Sequence, residues 1–427
     1  MQRERPQLVV SDRKGKIFNI PYLAVGMKAG SFFPLALKDL VRLPQGSELF
    51  MLPSRKPVGY DTAAKDFVVP DGYSAVAAFV SPGHTITYNS AYIEDKKVDR
   101  LPLFSYGAVA FYKGEFYVTA LRVDREPRQD IRFMDISAVK KNAKSLRKQF
   151  SKNRLFRHLE ACALCYGCPA AKNLFLKRYE APLPTSPSCN SRCIGCISYQ
   201  PGKGCPITQP RIKFVPTDEE ISEVALYHIR NVKDPVVSFG QGCEGEPLLV
   251  AKTIERAIRL IRKETKKGII NLNTNASKPD LVRRLSDAGL DSIRVSLNSV
   301  QELYYNRYYK PRSYRFKDVI SSIRVMKNKK GFVSVNYLIM PGFTDSKTEF
   351  SRLKRFISKE RIDMIQLRNL NIDPIYYIRA LKFSIARKEL IGIKDMIVSL
   401  KSDFPHLMLG YFNPSRTRVT RTSKRNI

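Results

Sequence analysis

Hydrophobic positions follow two regimes along the chain. Up to about residue 135 they come in short β-branched and aromatic runs broken by glycine and proline. Leu103 to Tyr112 leads through Lys113-Gly114-Glu115 into Phe116 to Val123, and two such runs around a glycine turn predict a hairpin. Ser74 to Val80, ahead of Pro82-Gly83, predicts another strand. From about residue 175 onward, strand and helix signals alternate. Apolar runs at Pro235–Gly240, Gly268–Asn275, Ser292–Leu297, Phe332–Met340 and Met364–Leu370 predict strands. Between them, Leu249–Lys266, Pro279–Ala288, Phe316–Lys329 and Thr344–Ser358 predict helices, and Thr217-Asp218-Glu219-Glu220 is a capping box opening a helix to Arg230. Regular β–α alternation implies right-handed crossovers and a parallel sheet or barrel.

The two regimes meet in a basic stretch. Val139, Ala143, Leu146 and Phe150 keep helical spacing, while Lys140, Lys141, Lys144, Arg147, Lys148, Lys152, Arg154 and Arg157 add eight positive charges without an acid. The stretch predicts a basic amphipathic helix whose charge is either a solvated face or a polyanion contact. Asn413 to Ile427 carry five positive charges and no acids, and read as a disordered tail. The expected organisation is a β-rich domain over 1–135, a basic helix with a cysteine cluster over 136–174, an α/β body over 175–400 and a basic tail over 401–427.

Composition narrows the class. At 427 residues and 43% hydrophobic, the chain is not predominantly disordered. No window approaches 18 uninterrupted apolar residues, so no membrane span is expected. The start, Met1 to Pro6, lacks the apolar region of a secretory signal, which makes the cytoplasm the expected compartment. Lys and Arg number 74 against 39 Asp and Glu, a net of +35. Residues 1–135 hold 19 basic and 15 acidic side chains, so the remaining 292 residues carry +31. Such a field favours polyanions such as RNA, although the same excess also serves solubility alone.

Eight cysteines cluster at local ligand spacings instead of spreading as a disulfide framework. Cys189-Asn190-Ser191-Arg192-Cys193-Ile194-Gly195-Cys196 is a C-x3-C-x2-C loop after an extended segment. Three thiolates so spaced ligate three irons of a cubane and leave the fourth open to a chelating ligand. The competing reading is a zinc knuckle, which prefers paired C-x2–4-C units and a fourth ligand. Cys162-Ala163-Leu164-Cys165-Tyr166-Gly167-Cys168-Pro169 is a C-x2-C-x2-C run with proline, like a ferredoxin-type ligand run, with zinc as the alternative. Its fourth ligand is Cys205 or Cys243. Cys205 is favoured because Cys205-Pro206 repeats the Cys-Pro sequence, and His158 is a weaker alternative. Cys243 otherwise reads as a redox-active or an inert thiol. Tyr304 to Phe316 interleaves aromatics with cations, as single-stranded RNA platforms do, against the blander reading of a tyrosine-rich structural segment.

The C-x3-C-x2-C loop resembles that of the radical S-adenosylmethionine (SAM) enzymes, and further stretches follow in that family's order. Gly245-Glu246-Pro247, after the second predicted strand, resembles the Gly-Gly-Glu-Pro motif that holds the methionine amino group. Asn275 resembles the polar residue closing the third strand, and Ser296 and Asn298 sit where the fourth strand offers contacts to ribose and carboxylate. Ile339 to Asp345 resembles the apolar motif beside adenine, and Leu367 to Leu370 lies where the sixth strand meets the adenine edge. The resemblance covers residues 175–375. Two positions depart from it. Gly195 stands where the family usually has an aromatic, which must then come from elsewhere, such as Tyr199, and Glu244 stands where it often has glycine.

The resemblance implies an α/β fold, a partial (βα)6 radical SAM barrel behind an N-terminal β-rich domain. It implies a [4Fe-4S] cluster at Cys189, Cys193 and Cys196, with SAM held by Gly245, Glu246, Pro247, Asn275, Ser296 and Asn298. It implies an electron donor such as a flavodoxin or ferredoxin, and reductive cleavage of SAM to a 5′-deoxyadenosyl radical that takes a hydrogen atom from the substrate. Cys162, Cys165 and Cys168, with Cys205 or Cys243, would hold an auxiliary iron–sulfur cluster. The charge leans the substrate toward RNA. A peptide or protein modified by the same chemistry is the alternative, and a non-catalytic iron–sulfur or zinc RNA-binding protein is a third reading.

Overall fold

Seven strands lie in one parallel sheet in strict sequence order. They are β1 (Glu180–Pro182), β2 (Val236–Phe239), β3 (Ile269–Thr274), β4 (Ser292–Leu297), β5 (Phe332–Ile339), β6 (Met364–Asn369) and β7 (Met408–Gly410). The computed structural model describes residues 5–95, 98–201 and 205–424. Five of the strands were expected from their apolar runs; β1 was anticipated only as an extended segment before the cysteine loop, and β7 adds a strand that the short run Met408–Gly410 does not advertise.

Strand periodicity of two sorts the side chains of this sheet onto two faces. Val237, Ile270, Leu272, Ile293, Val295, Val333, Val335, Ile365 and Leu367 are fully buried in the main core. Burying each such side chain contributes roughly 1.5–3 kcal/mol. The alternate positions hold Ser238, Asn271, Asn273, Ser292, Arg294, Ser334, Asn336 and Gln366, so the face inside the curl is polar. These residues satisfy one another. Asn271 donates to Ser238 and Asn273, Ser292 donates to Asn271, and Asn413 donates to the Glu180 carboxylate.

The helices cover the outer face. In chain order they are α1 (Ile136–Gln149), α2 (Arg154–Leu164), α3 (Pro169–Phe175), α4 (Asp218–Asn231), α5 (Ala251–Glu264), α6 (Pro279–Ala288), α7 (Glu302–Tyr309), α8 (Phe316–Asn328), α9 (Lys347–Glu360), α10 (Pro374–Leu381), α11 (Ile393–Asp403) and α12 (Arg416–Lys424). The predicted capping box starts α4. Thr217 Oγ1 accepts from the Glu220 amide, and the Glu220 carboxylate accepts from the Thr217 amide. In α1, Val139, Ala143 and Leu146 face the core while Lys140, Lys141, Lys144 and Lys148 are exposed. The basic stretch breaks at Phe150, which stacks on Phe156 at 4.6 Å, and resumes as α2.

The expected disordered tail is corrected. Asn413 and Ser415 are buried, and Arg416–Lys424 is helical; Arg425 to Ile427 lie outside the described residues. The physical reason is that two of the tail's cations have partners. Arg416 donates to the Gly268 carbonyl, and Arg418 pairs with Asp124.

The N-terminal region is β-rich and antiparallel. Gln7–Ser11 pairs with Ile17–Leu23, Ser74–Phe79 and Val109–Tyr112. The predicted hairpin forms between Val109–Tyr112 and Glu115–Val118, its turn residues Lys113 and Gly114 both at positive φ, which suits the glycine. This region docks on the ends of β5 and β6. Thr85 Oγ1 donates to the Leu367 carbonyl at 2.6 Å, and the Asn369 amide group bridges Ile86 N and His84 O. Arg55 and Tyr92 both bond the buried Asp373.

Candidate functional site

The C-x3-C-x2-C loop follows β1 and is held from three sides. Its backbone hangs on α7, where Arg192 N donates to the Tyr309 carbonyl at 2.9 Å and Ile194 N to Tyr308 at 3.1 Å. Gln200 closes it from the C-terminal side by donating to the carbonyls of Ile194 and Cys196. Asn190 accepts from Asn275 at 2.8 Å and donates to Ser277. Asn275, at the end of β3, thus locks the loop; it also donates to Ser191.

The loop after β2 lies against the same cysteines. Gly245 N donates to Ser186 O at 2.7 Å, and Glu246 N donates to Ser188 O at 2.8 Å. A Cβ at position 245 would stand 1.9 Å from the Ser188 oxygen and 3.1 Å from the Cys189 nitrogen, so only glycine permits this approach. Pro247 opens a short helical turn capped by Glu246. The Glu246 carboxylate is fully engaged, accepting from Leu248 N, Thr274 Oγ1 and Asn275 N, and burial pushes it up to about 7. Its carboxylate therefore ties β2 to β3 instead of reaching into open space.

Both departures from the family pattern acquire a reason. At Gly195 a Cβ would meet the Tyr308 hydroxyl at 2.6 Å. The ring that fills this place comes from α7, not from Tyr199, which is exposed beneath the Arg211 guanidinium. Glu244 is a buried anchor whose carboxylate accepts from Thr185, Ser186, Gly240 and Gln241, joining the loops after β1 and β2. A tyrosine-rich stacking surface is likewise overturned, because Tyr305, Tyr308, Tyr309 and Tyr314 are buried around the cysteine loop.

The three thiols form one electrostatic group. Burial pushes Cys189 up to about 11 and Cys193 further, each aggravated by a neighbouring thiol of the same loop. Burial therefore disfavours the thiolate at Cys189 and Cys193, and the positive charge of a bound metal would offset that penalty. Arg211, which the sequence pattern did not single out, donates to Cys196 Sγ at 3.6 Å and to Ser198. On β4, the Ser296 hydroxyl has no partner among the described residues. Asn298 donates to Tyr304 O and to the Tyr377 hydroxyl while its own Oδ1 is unpaired.

The second cysteine group is redistributed. Cys162 ends α2, Cys168 caps α3, and Cys165 faces solvent. Ligand atoms of His158, Cys162 and Cys243 lie within 4.8 Å of one another, with His158 Nε2 3.5 Å from Cys162 Sγ. Hydrogen bonding to Cys243 and His158 lowers the Cys162 thiol, while its partner Cys243 is pushed up. The preference for Cys205 is therefore corrected. Its thiol bonds the Leu101 carbonyl of the N-terminal region and its charged neighbours are Arg100 and Asp373, none from the 162–168 segment.

Residues 183–353 match the family model of the Radical SAM superfamily. The chain thus contains a segment of the Radical SAM type, a superfamily whose members are enzymes. Over 186 residues it is 24% identical to the FeMo cofactor biosynthesis protein NifB of Klebsiella pneumoniae, spanning 38% of each protein. Among solved structures, Streptococcus suis SuiB shares 13% identity at a TM-score of 0.40, covering 74% of this chain and 72% of that one. A radical SAM methyltransferase of Sphaerobacter thermophilus shares 14% at a TM-score of 0.35, covering 48% and 63%. No described helix is long and apolar enough to cross a membrane.

Proposed function

We propose that the chain holds a [4Fe-4S] cluster at Cys189, Cys193 and Cys196 and uses it to cleave SAM reductively, the 5′-deoxyadenosyl radical then taking a hydrogen atom from a substrate. The observation that supports this reading is the seating of Gly245 and Glu246 against the backbone of Ser186, Ser188 and Cys189, which brings the Gly-Glu-Pro turn up to the first cysteine of the loop. When bound, the cluster supplies one electron to the sulfonium of SAM. The chain's residues orient the reactants. Glu246, Asn275 and Glu244 fix the loops, Asn298 offers an unpaired Oδ1, and Tyr308 walls the site at Gly195. An external protein such as a flavodoxin or ferredoxin supplies the electron.

A second metal centre, the auxiliary iron–sulfur site, is supported by the convergence of His158, Cys162 and Cys243, with Cys168 as a charged neighbour; Cys243 stands three residues before Glu246. RNA is the substrate class best supported, by the row of exposed lysines on α1 and the +31 of the chain beyond residue 135.

Anaerobic reconstitution tests the reading. Wild type should carry about eight irons and release 5′-deoxyadenosine under dithionite, and the triple alanine variant of Cys189, Cys193 and Cys196 should keep about four and release none. C243S should lose the auxiliary irons and C205S should not. An enzyme that forms only S-adenosylhomocysteine, with no deoxyadenosine at any stage, refutes the mechanism. For the substrate, RNA affinity should fall by about 0.7 log units per neutralised phosphate per log unit of salt, and charge reversal of Lys140, Lys141, Lys144 and Lys148 should flatten that slope. No RNA binding at low salt would move the choice to a peptide.

A further inference from the structure

The inner face of the curled sheet carries a cation that its own network leaves short. Arg294 lies on β4 at an inward position, between Asn273 on β3 and Ser334 on β5. Its Nη1 donates to Gln366 at 3.3 Å, but its Nε–H is buried without a partner. Orphaned buried N–H groups are rare, since each loses its hydration without a replacement partner. Two more unpaired polar atoms lie close in the lattice of strands. Asn336 stands on β5 opposite Ser296 of β4 and Gln366 of β6, and its Oδ1 has no partner; Asn298, just past β4, likewise has a free Oδ1. Burial and a second guanidinium, Arg368, pull Arg294 down to about 10, so the charge there is poorly compensated. The acid whose charge acts on it, Glu180, already accepts from Asn413 and Gln129.

We infer that Arg294 and its neighbours form an oxyanion-binding subsite in the barrel lumen, for a phosphate or carboxylate group of the molecule that is modified. This rests on the reading of the chain as a SAM-cleaving enzyme. SAM's own carboxylate is the rival occupant. Ser296 and Asn298, toward the C-terminal end of β4, are the residues placed toward SAM, and Arg294 lies two residues deeper, bonded to Gln366 of the polar floor. The orphan acceptor of Asn336 would take a donor N–H or O–H from the same ligand. The subsite holds a charged end while the remainder of the molecule extends toward the cluster.

Inorganic phosphate, acetate and neutral acetamide, titrated into the reconstituted protein by calorimetry at ionic strength held constant with chloride, test this. One oxyanion should bind and acetamide should not. Phosphate binding points to a nucleotide-like group and acetate binding to a carboxylate. R294Q should weaken binding about ten-fold or more, as expected for one charge-assisted hydrogen bond, and R294K should recover part of it. Because R294Q could fail to fold, the wild type is also treated with phenylglyoxal, and the bound oxyanion should slow modification of Arg294. Binding no stronger than that of chloride, unchanged binding in R294Q, or equal modification with and without the anion overturns the subsite. Loss of anion binding at saturating SAM would assign Arg294 to SAM's carboxylate and overturn the substrate assignment. None of these readouts needs reductant, so failure of SAM cleavage is a separate result.

Discussion

Replacing Gly245 by alanine is the sharpest test of how the cofactor loop and the cysteine loop are joined. The added Cβ would sit 1.9 Å from the Ser188 oxygen, against 3.4 Å for ordinary contact, a shortfall of 1.5 Å. The obstacle is backbone, so no side-chain rotation relieves it. Either the β2 loop lifts or the cysteine loop moves, and both hydrogen bonds across the joint, Gly245 to Ser186 and Glu246 to Ser188, lengthen. Overpacking costs about 1–3 kcal/mol and each of the two lost bonds about 1 kcal/mol, giving a total of about 3–5 kcal/mol. The next residue after Ser188 is Cys189, so the displacement should reach the iron site. G245A should therefore bind less iron on reconstitution and bind SAM at least ten-fold more weakly, read by iron analysis and equilibrium dialysis. G72A is the control, because its Cβ meets nothing within 4 Å and only its positive φ is strained. If G245A reconstitutes fully and binds SAM as wild type does, the two loops are not mechanically joined and the argument fails.

Restoring the family's aromatic by G195F should lower iron content, since the side chain meets the Tyr308 hydroxyl, and adding Y308A should recover much of it; equal iron in all three proteins would remove Tyr308 from this role. His228 is fully buried with an unpaired Nδ1, and burial lowers it to about 4. The unfolded chain therefore takes up its proton first, and stability should fall as pH drops from 6.5 toward 4, by about 3 kcal/mol from this group. Thermal denaturation of H228L across that window should show a shallower loss; an identical slope would mean that the imidazole does not titrate as described.

Much of this site could be read before any coordinates, and the reasons for the rest are physical. The C-x3-C-x2-C spacing is local, so the thiols of Cys189, Cys193 and Cys196 were identifiable from adjacency alone. Gly245 and Asn275 were singled out by their resemblance to the family's motifs, in stretches that follow predicted strands. Tyr308 and Arg211 were not, because their roles arise where α7 and the 205–215 segment return to the cysteine loop, and no periodicity marks such a return. The choice between Cys205 and Cys243 failed for the same reason. A shared Cys-Pro dipeptide is weak evidence of proximity, whereas the parallel register of β2 carries Cys243 to the end of α2. The alternation of Ser292, Arg294 and Ser296 with Ile293, Val295 and Leu297 was visible, but the strand was read for its apolar half, and the polar half proved to face inward.

Asn413 has a consequence for how this molecule is made. Its side chain reaches Glu180 of β1, Ser238 of β2, Asn273 of β3 and Gln366 of β6, and its carbonyl accepts from the Tyr179 hydroxyl. Glu180 waits 233 residues for this partner. During synthesis every strand from β1 to β6 leaves the ribosome before the amide that knits their polar interior together. The helices and the outer apolar face can assemble as they emerge, and Ser238, Asn271, Asn273 and Ser292 can pair among themselves, but β1 and β6 gain their shared amide only when residue 413 arrives. The contact that joins the first strand of the sheet to the sixth is therefore made only after all six are in place, and a nascent chain that has not yet reached residue 413 lacks it.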